Sequence, residues 1–366
     1  MFIGISMALL LAMLLLSIVF LSRPLQNGGQ PVIQPADAVQ PADAVQPADA
    51  VQPAKAVQTA GVIPASVNVG VAEIPDVSGF QQVVALSDAH GMFDNLIHLL
   101  AVCKLVTPDG HWLASSTLLI VVGDSIDKGP RSLDILDLWR TLSLEAPHNG
   151  SRIVVLLGNH EAEFLADPTN KKAAPLRDEL QAKGSDVSSL LDPAGPRGHF
   201  LRSMPVAARV GRRWLFCHAG WIPQMPYADF VGRAESVLRA ADYSSDFLIA
   251  DDSILEKRAG SDGGKWWENA ADVQDLKDRL TQAGLYGVVF GHQPAAFGLL
   301  GAIGLYETKD ARLIKIDSGM APDAGAHPGH LLQFTAPDEL TQDRRPAHIF
   351  SSGFDDGHPE LRTKAL

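Results

Sequence analysis

From Gln81 to Asp317 the chain repeats one pattern, a short apolar run followed at once by a polar or acidic residue. VVALS precedes Asp88, LLIVVG precedes Asp124, and IVVLLG precedes Asn159 and His160. WLFC precedes His218, VVFG precedes His292, and LIKI precedes Asp317. Short aliphatic and β-branched runs bounded by Gly predict strands buried on both faces. Between the first three runs lie stretches with helical periodicity, such as SLDILDLWRTL, which predicts βαβ units. In an open α/β sheet the ligand crevice lies beyond the carboxyl ends of the strands. The pattern therefore predicts that Asp, His and Asn side chains converge on one crevice. Any one of them alone reads equally well as a helix cap or a hydrogen-bonded core residue. Their recurrence at strand end after strand end is not explained by packing.

Ahead of this region the pattern changes twice. Met1 to Leu21 carries no charged side chain and is almost wholly apolar. Its length matches the roughly 20 residues that cross a bilayer as a helix. It has no charged n-region, no small-x-small site at its end and no cysteine for a lipid, so an uncleaved transmembrane signal-anchor over 1–22 fits better than a cleaved signal peptide. QPADAV then occurs three times, followed by QPAKAV, between Gln34 and Val57. Proline in every unit, with small and polar residues between, builds no core and predicts a semi-extended stalk. The reading is thus an anchor at 1–22, a stalk at 23–78, a catalytic domain at 79–337 and a tail at 338–366. A stalk suits an enzyme held off the outer, extracytoplasmic face of a membrane. Arg23 is the sole charge flanking the helix, which leaves its sidedness weakly set.

Composition narrows the classes. At 366 residues and 46% hydrophobic, the chain holds one large domain or two small ones. Its formal charge of −12 repels phosphate backbones and no basic run offsets it, so no nucleic-acid partner is expected. Two cysteines, Cys103 and Cys217, exclude a disulfide scaffold. Imidazole and carboxylate donors without thiolate suit zinc, iron or manganese. The strand-end residues are too many for one tetrahedral zinc site. They suit two ions sharing a carboxylate, about 3.5–4 Å apart, an arrangement used for in-line displacement at phosphorus.

The motifs stand in order along the chain. They are Asp88-Ala89-His90-Gly91, Gly123-Asp124-Ser125-Ile126-Asp127-Lys128-Gly129-Pro130, and Gly158-Asn159-His160-Glu161. Cys217-His218-Ala219-Gly220, Gly291-His292-Gln293-Pro294 and Ile316-Asp317-Ser318-Gly319 follow. This ordered set resembles the calcineurin-like metallophosphoesterases, within them the phosphoprotein-phosphatase branch. The text between the motifs, including GHWLASSTLLIVVGD and RGHFLRSMPVAARVGRRWLFCHAG, is most similar to the bacterial Shewanella-like phosphatases. The resemblance covers about Gln81 to Phe334.

It implies an α/β fold, a four-layer αββα sandwich with a dinuclear metal site at the carboxyl ends of the strands. Asp88 and His90 would hold the first metal ion, Asp124 would bridge, and Asn159, His218 and His292 would hold the second. The ions would be manganese, iron or zinc, and a hydroxide between them would attack phosphorus in line. His160 would protonate the leaving oxygen, oriented by Asp127, and Asp317 would support a ligand or end a strand. The implied substrate is a phosphomonoester, on a protein at Ser/Thr or Tyr or on a small molecule. Alternatives are a dinucleoside polyphosphate hydrolase on the same scaffold, or a metal-bound binding protein without turnover. Intact Asp127 and His160 argue against the latter.

Three positions depart from the family pattern. Lys128 stands where the family usually has Arg, and an ammonium is a point charge rather than a bidentate fork. Lys128 could still bind phosphate, with Arg131 or Arg202 supplying the fork, though both suit a surface equally. Ala219 replaces a usual Gly, which predicts a slightly shifted loop. The late substrate loop, Gly263-Gly264-Lys265-Trp266-Trp267-Glu268, has no Arg. Its two Trp residues suit either a wall for an aromatic leaving group such as phosphotyrosine or a place in the core.

Overall fold

Each of the six apolar runs forms a strand. In this computed structural model the described residues are 70–258, 268–307, 312–342 and 349–353. The predicted anchor, the stalk as far as 69 and the Trp266–Trp267 pair lie outside them. Among the described residues no helix is long and apolar enough to cross a membrane.

The strands are β1 (Val71–Ile74), β2 (Gln82–Leu86), β3 (Thr117–Val121), β4 (Arg152–Val155), β5 (Ala207–Val210) and β6 (Trp214–Cys217). β7 (Gly287–Phe290), β8 (Gly304–Glu307), β9 (Arg312–Lys315), β10 (His330–Phe334) and β11 (Ile349–Gly353) complete them. One sheet has the order β1-β5-β6-β7-β9-β8, the other β11-β10-β2-β3-β4. The predicted βαβ units are present, with β2, β3 and β4 parallel neighbours. Their crossovers are α1 (Phe93–Val102) and α2 (Ser132–Glu145). The motif-bearing strands β6, β7 and β9 are likewise parallel neighbours in the other sheet.

Side chains along a strand point alternately to its two faces. Val83 and Ala85 of β2 share a buried cluster with Trp214 and Phe216 of β6, while Val84 and Leu86 join a second cluster. The first cluster is the seam between the sheets, where Phe334 meets Trp214 and Phe216 edge to face. The second holds the helix faces, including Leu96 and Leu99 of α1 and Leu136 and Trp139 of α2. Because both faces of each strand are covered, the runs are continuously apolar instead of alternating.

The remaining helices are α3 (Asn159–Ala166), α4 (Ala174–Ala182), α5 (Val187–Leu191), α6 (Pro196–Arg202), α7 (Tyr227–Arg239), α8 (Asp246–Ile249) and α9 (Ala270–Gln282). α7 and α9 contribute Phe230 and Leu276 to the helix-facing cluster together with Leu215 and Val288, giving helix, sheet, sheet, helix. The chain thus has the mixed α/β fold with two sheets flanked by helices.

Two predicted boundaries move. Residues 71–74, assigned to the stalk, form the edge strand β1, paired in parallel with β5 from Val71↔Ala207 to Ile74↔Val210. Val71, Ile74 and Val77 are buried. Glu73 accepts hydrogen bonds from Arg209 Nε and Tyr227 Oη, each at 2.8 Å, and the Arg209 guanidinium stacks on the Tyr227 ring. The globular part therefore begins by residue 70. At the other end, β11 pairs antiparallel with β10 and Leu340 is buried, so residues 338–342 and 349–353 are not simply tail.

Candidate metal and phosphate site

Each motif lies just past the carboxyl end of its strand, and the backbone turns sharply there. Asp88, His90, Asp124, Asp127, Lys128 and His292 all have φ between 43° and 66°. Such left-handed backbone costs on the order of 1–3 kcal/mol per non-Gly residue and persists where the surroundings over-determine it. Two motif glycines are required by close approach. A Cβ on Gly158 would sit 2.2 Å from Asp124 Oδ1, and one on Gly291 would sit 2.2 Å from Asp88 Oδ2. These two glycines thus leave room for a carboxylate from another motif.

The motifs also tie to one another. Asp88 accepts from His292 N at 3.0 and 3.2 Å, and Asp124 Oδ1 accepts from His160 N at 3.1 Å. Glu161, fully buried, accepts from the backbone N–H groups of Asp124, Ser125, Ile126 and Gly158. It therefore shapes the Asp124 loop without reaching the crevice. Its place in Gly-Asn-His-Glu was visible in sequence, but its role was not.

Asp124 is central. Its Oδ2 lies 3.4 Å from His90 Nε2 and 3.3 Å from His218 Nε2. Ligand-competent atoms of His90, Asp124 and His160 fall within 4.8 Å of one another, as do those of Asp124, His218 and His292. Asp88 Oδ1 stands 3.7 Å from His90 Nε2, and Asn159 Oδ1 stands 3.0 Å from His218 Nε2. Two donor groups thus share Asp124, with Asp88 and Asn159 beside them, and His160, expected as the proton donor, stands within ligand range in the first group.

The histidines are oriented for this. His90 Nδ1 donates to Ile126 O at 3.1 Å and His218 Nδ1 to Val122 O at 2.9 Å, so each ring turns Nε2 toward Asp124. His292 Nε2 lies 3.2 Å from Glu256 O and 3.4 Å from Arg258 Nε. Arg258 can only donate and the Glu256 carbonyl can only accept, but both contacts fall on Nε2, so Nδ1 is the nitrogen that remains for the crevice. A backbone partner on the remote nitrogen is how ligating imidazoles are commonly held.

Electrostatics tests whether cations fit. Asp88 is pushed well above the usual carboxylate range by burial first and by the charge of Asp317 next. Asp317 itself is raised to about 6, chiefly by burial. Burial alone would keep His218 neutral, but the charge of Asp124 outweighs it and lifts the ring to about 10. Buried carboxylates crowded until Asp88 and Asp317 are raised, beside an Asp124 that protonates a buried imidazole, call for compensating positive charge. Divalent ions between these oxygen and imidazole donors fit that demand.

The cleft outside is a cavity of about 650 Å³. Asp88, His90, Asp124, Asn159, His160 and His292 line it, whereas His218 lies wholly buried behind its floor. Asp317 also reaches the cavity and accepts from Gly319 N at 2.9 Å, a support for its loop. His160 Nδ1 lies 2.9 Å from Asp127 Oδ2, and the His160 ring meets His90 edge to face.

The predicted phosphate-binding residues divide. Lys128 lines the cavity, its Nζ 3.5 Å from Asp323 Oδ2. Arg131 does not line it. Its guanidinium is engaged by Asp94 and Asp134 and stacks on Phe93, so the expected fork is spent elsewhere. Arg202 donates to Leu190 O and Gly198 O, also away from the cleft. Arg258 supplies a guanidinium at the cavity instead, with Lys171 and Lys172. It was missed because it stands in Leu255-Glu256-Lys257-Arg258, a stretch with no strand or motif to mark it. Ala219 is absent from the positive-φ residues, so its backbone does not need the glycine usual there.

The sequence of this chain matches the family model for calcineurin-like phosphoesterase over residues 82–296. The chain belongs to the calcineurin-like phosphoesterase family. This phosphoesterase is 31% identical over 166 residues to a symmetrical bis(5'-nucleosyl)-tetraphosphatase of Vibrio cholerae, covering 44% of this chain and 53% of that one. It is 32% identical over 81 residues to Shewanella-like protein phosphatase 2 of Arabidopsis thaliana, covering 22% of this chain and 21% of that one. The phosphoesterase thus spans about half the tetraphosphatase and a fifth of the plant protein. In fold it is similar to the cold-active protein-tyrosine phosphatase of a psychrophilic Shewanella, with a TM-score of 0.57, 19% identity, and coverage of 79% and 82% of the two chains. The family uses divalent metal ions, and the His and Asp clusters could hold them.

Proposed function

We propose that this phosphoesterase is a two-metal phosphomonoesterase acting on phosphoproteins at Ser/Thr or Tyr. Asp88 and His90 would hold one ion, Asn159, His218 and His292 the other, and Asp124 both. Manganese, iron or zinc would suit these donors. When bound, such a pair polarises phosphoryl oxygens and makes water nucleophilic near neutral pH.

The observation that carries the reading is His160 on Asp127. His160 is one imidazole more than the six predicted donors need, it lines the cavity, and its Nδ1 is held by Asp127. Burial, the largest influence on His160, favours the neutral ring, but Asp124 and Asp127 outweigh it and raise its pKa. An imidazolium oriented at the leaving oxygen is suited to general-acid work. Lys128 and Arg258 are the cations that would receive the phosphoryl oxygens, the second as a planar fork.

The likeness to the Vibrio tetraphosphatase favours a second reading, hydrolysis of dinucleoside polyphosphates. Metal analysis with a panel of phosphotyrosine peptide, phosphothreonine peptide and diadenosine tetraphosphate, run on the full-length chain, separates them. Hydrolysis of either peptide at least tenfold faster than the dinucleotide is expected. The reverse order would replace the first reading by the second. For the region before residue 70 we propose a membrane anchor at 1–22 and a stalk that holds the enzyme on the extracytoplasmic side. Carbonate-resistant membrane fractionation with protease accessibility of the domain tests that placement.

A further inference from the structure

Glu256 follows α8, a short helix that packs against α3 beside the cleft. Its carboxylate Oε1 accepts from Asn159 Nδ2 at 2.9 Å. The same Oε1 takes the Lys172 ammonium and is thus an accepting oxygen, so the contact turns the amide nitrogen of Asn159 toward Glu256 and its oxygen toward the cleft. That oxygen then lies 3.0 Å from His218 Nε2. Only the oxygen end of an amide ligates a cation, so the direction of this flip decides whether Asn159 is a donor at all. The main-chain oxygen of the same residue lies 3.2 Å from His292 Nε2 and, with Arg258 Nε at 3.4 Å, engages that nitrogen so that Nδ1 is the one left for the cleft. Glu256 is itself held, with Lys172 Nζ 3.4 Å from Oε1 while also paired with Glu163. Its side chain is 17% exposed and meets Asn159 and Lys172 rather than Asp88 or His90.

We propose that Glu256 is the positioning residue of the second metal position. One residue sets the donor atom of two ligands there, Asn159 through its carboxylate and His292 through its carbonyl, while the first position assembles without it. This rests on the two-ion reading above and adds a residue that no motif carries. It makes the affinity of the second ion, and not that of the first, depend on a side chain that touches neither ion.

The test reads metal binding and needs no substrate. Full-length protein in mild detergent, stripped by chelator, is titrated with Mn²⁺ by calorimetry, with bound metal counted after desalting. The variants are Glu256→Ala, Glu256→Gln, Asn159→Ala and the double alanine. Wild type is expected to bind two ions. Glu256→Ala should weaken the second by about 10–100-fold and leave the first within twofold, the range typical when a partner behind a ligand is lost. Glu256→Gln keeps an oxygen acceptor and should stay within a few-fold of wild type. Because the carboxylate acts through Asn159, the double variant should bind no more weakly than Asn159→Ala alone. Circular dichroism and melting in chelator check that the metal-free fold is unchanged. Unaltered binding of both ions by Glu256→Ala, equal weakening of both, or full additivity in the double variant would each overturn the assignment. A wild type that binds fewer than two ions overturns the two-ion reading itself. Absence of phosphatase activity with this binding pattern intact would overturn the proposed substrate and leave Glu256 in place.

Discussion

Asp127 Oδ2 lies 2.9 Å from Nδ1 of the cavity-lining His160, both side chains almost wholly buried. In the proposed reaction the pair would present His160 Nε2 to the leaving oxygen. It also shares negative charge with the ring, so the imidazole is drawn toward its protonated form.

Loss of His160 should therefore cost chemistry rather than metal. His160→Asn is expected to lower kcat on phosphoserine or phosphothreonine peptides by about 10²–10⁴-fold. Para-nitrophenolate departs without a proton, so para-nitrophenyl phosphate should suffer little. Asp127→Asn should give the same pattern in milder form. As the proposed acid, His160 should make activity fall as pH rises through its pKa. Removing the Asp127 charge lowers that pKa, and the alkaline limb of kcat should move to lower pH. Equal losses on both substrates, or metal content falling with His160→Asn, would count against the acid role.

Asp124 Oδ2 faces an imidazole nitrogen of each donor group. Asp124→Asn removes the shared charge, so Mn²⁺ should bind more weakly at both positions and turnover should collapse. Calorimetric titration, alongside hydrolysis in metal-limited buffer, checks this. Near-wild-type turnover under those conditions is the outcome that would sink a shared-carboxylate site.

The arginines should separate cleanly. Arg258 lines the cavity, while Arg131 is engaged by Asp94 and Asp134. A charged hydrogen bond contributes about 1.5–3 kcal/mol, so Arg258→Ala should raise KM for a phosphopeptide by roughly 10–100-fold. Arg131→Ala should leave KM within twofold and cost some melting temperature. Steady-state kinetics with both variants decides, and the reverse ranking would return the phosphate fork to Arg131.

The edge strand sets where the enzyme can be cut. A chain beginning at Val62 retains β1, and one beginning at Gly79 loses Val71, Ile74 and Val77 from the core and bares the edge of β5. Three buried aliphatic side chains are worth on the order of 5 kcal/mol, and an uncovered edge invites association. The shorter chain should melt lower and run as aggregates on gel filtration. If both melt alike and stay monomeric, β1 contributes nothing to the fold.

Strand after strand was legible in the amino-acid order because the physics there is local. A run buried on both faces must be apolar along its whole length, and a residue past its end must leave the sheet. Asp88, Asp124, Asn159, His160, His218 and His292 declared themselves through that position and their donor chemistry. β1 and β11 did not. VAEI is four residues with a charge in the middle, and its strand character comes from pairing with β5, a partner more than 130 residues away. Arg131 and Arg258 are the sharper case. By spacing alone Arg131, beside the Asp127 motif, looked suited to phosphate, and Arg258 had no neighbour to recommend it. Which guanidinium reaches the cleft depends on where Asp94 and Asp134 stand and on how the segment after α8 folds back over Asn159. The same holds for Glu256, whose significance lies in what it touches across 97 residues of chain. Donor type and strand-end position are properties of short segments and are written in sequence. The direction of an amide, the partner of a guanidinium and the pairing of an edge strand exist only once distant segments meet.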